Sequence, residues 1–340
     1  MSNTAQSLPN SGPTSEAEKP TEPVKKTPEI AKPCVLGTTF HRAATQATPD
    51  AVGGAGGLPL LLDGAARLGA AALYLVADGT GAALAAQPQL IMERRLELPV
   101  VGLDAALGAV RLGQLRAHRA QAASLDRAEA EAAVAVVKAA LAFAEELGAR
   151  YVVTSLGQVR GLERLWRPVR GRFLRGVLLY NDESAQALME IRAGVATHHL
   201  DAGLRSVDRM AEEAARRGIT LLLRNPRSPL EMPLAMELAV VRAELRGAPL
   251  APLLDLPAAH LTSTLRCVPL RETVLAFGDG PLASLADACS TLSGLVPGTG
   301  EVDVAAVARA LGKSVQRLFI PWPGLTLPEV EAGYRSVAAL

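Results

Sequence analysis

The chain has 340 residues, of which 49% are hydrophobic and 20% charged, and its formal net charge is +1. This length and composition suit either one large barrel or two ordinary domains with a substantial buried core. The balanced charge argues against a polycation built for nucleic acid. The aromatic content of 3% argues against an aromatic-rich carbohydrate-binding sandwich.

Cysteine content and hydropathy indicate the cellular compartment. Cys34, Cys267 and Cys289 have no C-x-x-C spacing, so they predict neither a disulfide framework nor a zinc knuckle. No apolar run is long enough to span a bilayer, and the N-terminal residues lack the apolar core of a signal peptide. We therefore expect a cytoplasmic protein that does not contact membranes.

Residues 1–33 differ in composition from the rest of the chain. They are rich in Pro, Ser, Thr, Glu and Lys and contain few residues that could pack in a core. Such a segment cannot offset the entropy of ordering by burial, so it is predicted to be a disordered tail. The alternative is a docking peptide for a protein partner.

From residue 34 onward, short aliphatic runs alternate with segments of helical period. The predicted helices include residues 126–147, 200–217, 234–246, 304–311 and 326–340. The runs predicted to be strands are residues 34–40, 72–78, 98–104, 150–157, 219–226, 248–257, 272–279 and 317–323. Aliphatic runs without polar alternation are typical of strands buried on both faces. Eight such units predict a (β/α)8 TIM barrel over residues 34–340. A doubly wound open sheet is the alternative, but its G-x-G-x-x-G signature is missing.

Three stretches carry a family resemblance: AFAEELGARYVVTSLG (142–157), AARRGITLLLRNP (214–226) and PGTGEVDVAAVARAL (297–311). In order and spacing they resemble the sugar phosphate isomerase/epimerase family, also called the xylose-isomerase-like barrels. The resemblance implies an active site at the carboxyl ends of the strands. It also implies a divalent metal held by Glu, Asp, His and Glu on separate strands.

Matching these four ligand positions to the chain leaves one in register. Asp255 matches the Asp ligand, whereas Arg224-Asn225 stands where the family has Glu-Asn. The remaining positions hold no ligand, since a His is expected near Ala276 and the second Glu near Pro321. We therefore expect no metal cofactor, with a weakly bound divalent metal at Asp255 as the alternative. The Arg224 cation is predicted to pair with Asp255 or to bind a phosphate or carboxylate.

Polar residues near the predicted strand ends are the candidate site residues. The resemblance places a His at Ala258, and His260 lies nearby, so Asp255 and His260 are the candidate catalytic acid/base pair. The candidate ligand-binding residues are Arg224, Asn225, Asp104, Asp279 and Trp322. The alternative interpretation is that Asp and Asn are simply favoured at strand ends and turns.

Residues 158–176 contain six arginines with Trp166 and Phe173 between them. Because this Arg-rich segment follows the fourth predicted strand, it could bind phosphate groups over the barrel mouth. The alternatives are pairing with Glu212 and Glu213, or a homodimer contact; nucleic acid is not favoured at this net charge. The adjacent His198 and His199 are predicted to lie at an exposed helix start.

The function predicted from the sequence is a divergent isomerase- or epimerase-like barrel that binds a small anionic or polyhydroxyl ligand at its mouth, with the metal site largely lost. Whether it catalyses a reaction stays open. The alternative is a pseudoenzyme, a non-catalytic barrel that binds partners through residues 1–33 and the Arg-rich segment. A nuclease-like relative is least favoured, because the nucleases of the family use many His ligands and this chain has five His.

Overall fold

The computed structural model describes residues 34–37, 57–76, 89, 92–93, 97–112, 120–177, 183–289, 292–321 and 325–340. The predicted tail, residues 1–33, and the candidate ligand-binding residue Trp322 lie outside these ranges. Within the described ranges, no helix combines the length and apolar character needed to cross a membrane.

Eight parallel strands close into a barrel in the order β1-β12-β9-β8-β6-β4-β3-β2. The barrel strands are β1 (Val35–Gly37), β2 (Ala72–Leu75), β3 (Val100–Asp104), β4 (Tyr151–Thr154), β6 (Thr220–Arg224), β8 (Leu250–Asp255), β9 (Leu282–Ser284) and β12 (Gln316–Phe319). Two antiparallel pairs lie outside the barrel: β5 (Gly157–Gln158) with β7 (Glu231–Met232), and β10 (Asp287–Cys289) with β11 (Leu292–Leu295). The predicted (β/α)8 barrel is confirmed.

Helices follow the strands in the pattern of the fold. The described helices are α1 (Gly57–Arg67), α2 (Leu107–Arg111), α3 (Arg127–Leu147), α4 (Glu163–Leu174), α5 (Glu183–Arg217), α6 (Ala235–Glu244), α7 (Leu256–Thr264), α8 (Leu270–Phe277), α9 (Val304–Ala310) and α10 (Leu327–Ala339). Helix α3 shows how local sequence sets such boundaries. Asp126 accepts a hydrogen bond from the Ala128 N–H at 2.8 Å, and Gly148 ends the helix at a φ of 70°.

Two core layers follow from the alternation of side chains along each strand. Val153, Leu222 and Leu253 point into the barrel, where they are at most 2% exposed. Their neighbours Val152, Leu221, Leu223 and Leu254 point outward and pack in the layer between strands and helices. Both faces of the sheet are therefore buried, which is why the middle positions of these strands are mainly aliphatic.

Two predicted elements differ from the structure. The predicted strand at residues 272–279 is helix α8, and the true seventh barrel strand is β9, Leu282–Ser284. In α8, Thr273 and Phe277 are buried at helical spacing while Leu275 is 71% exposed. A short apolar run does not distinguish a helix from a strand by period, and β9 contains Ala and Ser in place of β-branched residues.

The second difference is the start of the long helix α5, which begins at Glu183 and not near residue 200. His198 and His199 therefore lie in its interior. His199 is 2% exposed, its Nδ1 lies 2.7 Å from the Ala123 carbonyl oxygen, and its Nε2 accepts from the Arg160 N–H at 3.4 Å. The predicted exposed helix start is wrong, because the segment before residue 200 is amphipathic and packs along the barrel.

Candidate functional site at the carboxyl ends of the strands

The carboxyl ends of β3, β6 and β8 place three charged residues at one rim of the barrel, which we call the mouth. Asp104, Arg224 and Asp255 are the last residues of these strands. Each points inward because strand residues alternate between the two faces of the sheet. The structure thus brings together three of the predicted site residues.

Asp104 is the centre of one cluster at the mouth. Its Oδ1 accepts a hydrogen bond from the Tyr74 hydroxyl at 2.5 Å and lies 3.8 Å from a terminal nitrogen of Arg224. Burial, followed by the charge of Asp104, raises the pKa of Tyr74 well above 10, so this phenol stays protonated and donates. Tyr74 was not among the predicted site residues, since the apolar run of β2 marks it only as core.

Asp255 forms a second cluster, in which both of its carboxylate oxygens are engaged. Its Oδ2 accepts from Arg227 at 3.3 Å, and its Oδ1 accepts from the Ala258 N–H at 3.3 Å, which caps helix α7. The predicted pairing of Arg224 with Asp255 is therefore wrong: Arg227 takes Asp255, and Arg224 lies near Asp104.

Arg227 lies three residues beyond Arg224 in the loop after β6, and its side chain is 46% exposed. Burial by itself lowers the pKa of Arg227. The charges of Asp255, Asp104 and Glu231 outweigh that effect and raise the pKa, so the guanidinium remains charged. Sequence analysis missed this residue, although the R-N-P-R spacing places two cations in one strand-end loop.

Asn225 is 1% exposed and connects two strands. Its Oδ1 accepts from the Asp255 N–H at 2.6 Å, and its Nδ2 donates to the Asp255 carbonyl at 3.1 Å. These bonds fix the end of β6 against the end of β8. Asn225 thus holds Arg224 and Arg227 in place, and its own polar atoms face the protein backbone.

The candidate acid/base pair is not brought together. His260 lies five residues beyond Asp255 along α7, which rotates its side chain by roughly 140° and moves it about 7.5 Å along the axis. Its Nε2 lies 3.3 Å from Glu301 Oε2 and 3.3 Å from the Thr264 hydroxyl. The geometry therefore separates the two residues that the sequence suggested as partners.

Asp279 lies at the opposite end of the barrel from the other candidates. It precedes β9, so it stands at the amino rim, where it accepts a hydrogen bond from Arg242 at 3.0 Å. The prediction that it lines the mouth is wrong, because that prediction rested on the misassigned strand at residues 272–279. The residue that ends β9 at the mouth is Ser284, which is 2% exposed.

The mouth residues that the structure describes do not fit the metal ligand set that the family resemblance implies. A guanidinium stands at the first carboxylate position, Ser284 ends the strand expected to carry the histidine, and Pro321 follows the last strand. Asp255 already accepts from two donors. Within the described ranges, no group of three or more His, Cys, Asp or Glu side chains is placed to hold a metal ion.

A cavity of about 200 Å³ opens beside this cluster. Asp104, Arg224 and Arg227 line one side of it, together with Thr154 and Ser155. Its other walls come from the segment after β3 and from α3 and α5. The two arginines of the mouth therefore border a space large enough for a small organic molecule.

The Arg-rich segment contains Gln158 of β5 and the whole of α4. Arg160 pairs with Glu129 at 2.7 Å, and not with the Glu212 or Glu213 that the sequence suggested. Glu213 instead binds Arg216 and Arg217 of its own helix. Arg164, Arg167 and Arg170 are exposed on α4.

Comparison with solved structures identifies barrels of the same kind. D-allulose 3-epimerase from Methylomonas sp. matches with a TM-score of 0.55 and 16% identity, over 90% of this chain and 96% of that chain. The IolI protein with a binding zinc atom matches with a TM-score of 0.58 and 11% identity, over 91% of this chain and 97% of that chain. L-ribulose 3-epimerase matches with a TM-score of 0.52 and 16% identity, over 86% of this chain and 82% of that chain. The chain shares the (β/α)8 barrel fold of these structures. At these identities the matches establish the fold and not the activity. No protein-family model and no curated protein matches the chain.

Proposed function

We propose that this barrel binds a small organic anion at its mouth without a resident divalent metal. The single observation that carries the proposal is the Arg224 guanidinium. It borders the cavity of about 200 Å³, and it stands where the family resemblance implies a metal-binding carboxylate. Epimerases with this fold act on sugars, as their names state, so a ligand of a few carbon atoms suits the same end of the barrel.

The hydrogen-bonding state of Arg224 supports the proposal. Among the described residues, its one ion pair is with Asp104 at 3.8 Å, which is longer than a hydrogen bond. Its side chain is 20% exposed, so it is largely removed from water. A guanidinium carries five N–H donors in a planar fork that matches a carboxylate or phosphate. A ligand anion would supply acceptors for the Arg224 guanidinium.

Arg227 extends this donor surface. Its contact with Asp255 uses one terminal nitrogen at 3.3 Å, and the guanidinium stays 46% exposed. Two arginines three residues apart on one strand-end loop favour an anionic ligand over a neutral polyhydroxyl one. In the absence of a metal, these cations would provide the positive charge that a divalent ion provides in the family pattern.

Isothermal titration calorimetry in buffer with excess EDTA tests this function. The probes are inorganic phosphate and glycerol 3-phosphate, with glycerol as the matched neutral compound. We expect both anions to bind and glycerol not to bind. Arg224→Gln should weaken anion binding about tenfold to a hundredfold, the loss expected for a charge-assisted hydrogen bond of about 1.5–3 kcal/mol.

Arg242→Gln is the control for loss of an arginine charge away from the site, because Arg242 pairs with Asp279 at the opposite rim of the barrel. It should leave anion binding unchanged. Equal binding of glycerol and glycerol 3-phosphate would refute the proposal. So would binding that requires added Mn²⁺ or Mg²⁺, since the site would then need a metal to hold its ligand.

A further inference from the structure

The cavity behind Arg224 has two chemically different halves. The rim at the mouth is polar and carries Asp104, Thr154 and Arg224. Most of the remaining lining presents methyl, isopropyl and thioether groups, from Ala105, Ala122, Ala133, Val136, Val137 and Met210, while Ser155, Gly157 and Arg227 add polar groups. A ligand that fills this space must therefore meet charge at one end and apolar surface at the other.

The apolar half is built on two packed helices. Ala133, Val136 and Val137 share one face of α3, with the i, i+3, i+4 spacing of a helical stripe, and Met210 lies on α5. All four are at most 6% exposed. Because α3 and α5 pack against the barrel, the shape of this half is set by the core and not by a surface loop.

Polarity decides which ligand this half can hold. A sugar hydroxyl buried against these alanine and valine side chains would lose its hydrogen bonds to water and gain no partner from them. An alkyl or phenyl group would instead remove apolar surface from water on both sides. The whole cavity, polar rim included, is about 200 Å³, so the apolar half has room for a short alkyl chain.

We infer that the ligand is an amphiphilic anion, with its acidic group on Arg224 and Arg227 and a short apolar part in the apolar half. The inference rests on the proposed anion site for the acidic group. It adds the substrate class: an acid or phosphate ester with a short apolar arm, and not a sugar phosphate with hydroxyls along its length.

A series of n-alkyl phosphates titrated into the metal-free protein tests the inference. Inorganic phosphate and methyl, propyl and pentyl phosphate share one acidic group and differ only in the length of the arm. Each buried methylene should tighten binding about threefold to fourfold, and the gain should stop once the cavity is full. Pentyl phosphate should thus bind at least tenfold more tightly than methyl phosphate.

A variant that fills the apolar half tests the contribution of the apolar arm to binding separately from that of the acidic group. Ala133→Leu places a larger side chain in the apolar half and should abolish the gain with chain length while leaving inorganic phosphate binding unchanged. Ala135→Leu on the exposed face of the same helix is the matched control and should leave the whole series unchanged. The series on the unmodified chain tests the inference even if Ala133→Leu does not fold.

The outcomes distinguish this inference from the proposed function. If phosphate binding depends on Arg224 but the affinity does not rise from methyl to pentyl phosphate, the inferred apolar arm is wrong. The proposed anion site is then still supported. If no phosphate binds, the proposed function fails. In that case 1-pentanol, which has no acidic group, still reports on the cavity: it should raise the melting temperature of the unmodified chain and not that of Ala133→Leu. Failure there too would overturn the apolar site.

Discussion

The buried ion pair between Arg192 and Glu237 gives a sharp prediction about stability. Arg192 on α5 is 2% exposed. One terminal nitrogen donates to Glu237 Oε1 at 2.6 Å, and the other donates to Glu237 Oε2 at 3.1 Å and to the Glu231 carbonyl at 2.9 Å. Glu237 also accepts from the Leu234 N–H at the start of α6. The pair therefore joins α5 to the loop that carries Arg227.

Arg192→Ala should lower the free energy of unfolding by about 3–5 kcal/mol. The change removes three charge-assisted hydrogen bonds and leaves the Glu237 carboxylate buried without its counter-ion. Urea unfolding followed by circular dichroism measures the loss, provided that the slope with denaturant is unchanged. The same variant should also weaken phosphate binding, since the loop from Arg227 to Leu234 loses one of its attachments.

Two further variants make the reasoning refutable. Arg192→Met combined with Glu237→Gln removes both charges, keeps similar volumes and retains an acceptor for Leu234, so it should recover most of the lost stability. Arg209→Ala breaks a doubly bonded pair with Glu131 whose side chains are 46% and 45% exposed, and should change stability little. If Arg192→Ala lowers the free energy of unfolding no more than Arg209→Ala does, burial does not set the strength of the Arg192–Glu237 pair.

Two other predictions concern alkaline pH and a buried carboxylate. Burial raises the pKa of the Cys34 thiol from 9.0 to about 12. The unfolded chain therefore loses that proton first, and stability should fall by about 1.4 kcal/mol per pH unit between pH 9 and pH 12. Chemical denaturation across that range measures how steeply the free energy of unfolding falls with pH. Cys34→Ala should reduce this slope by the same amount. An unchanged slope would contradict the raised pKa of Cys34. Asp287 is fully buried and accepts from the N–H groups of Ala288, Gly298, Gly300 and Val302 at 2.7–2.9 Å. Asp287→Ala should cost about 3 kcal/mol or more in urea unfolding, whereas a loss below 1 kcal/mol would show that water satisfies these donors.

The fold was largely predictable because its signal is local. Seven of the eight predicted strands coincide with barrel strands, since a strand buried on both faces must be aliphatic along its whole length. The exception, β9, is short and made of Leu, Ala and Ser, so its burial is not visible in its sequence. Nearby, α8 carries the stronger apolar run and was taken for the strand.

The site was predictable in its location and not in its pairings. Arg224, Asp104 and Asp255 end their strands as the sequence indicated, because the end of a strand is a local property. Tyr74 and Arg227 were missed, since one looks like core and the other like a loop cation. His260 was proposed because it is close to Asp255 in sequence, and Asp279 because it ends the misassigned strand at residues 272–279. The structure places both away from the mouth cluster.

The sequence by itself therefore determined a (β/α)8 barrel with an arginine at its mouth, where the resemblance implies a carboxylate. The tertiary structure decided which acid that arginine meets. Arg224 is level with Leu253 on the neighbouring strand, so Asp255 lies two residues, or about 6.6 Å, further along. Asp104 comes instead from β3, two strands away in the barrel. Inward side chains from alternate strands share a layer of the interior, and the stagger that creates these layers exists only once the barrel has closed.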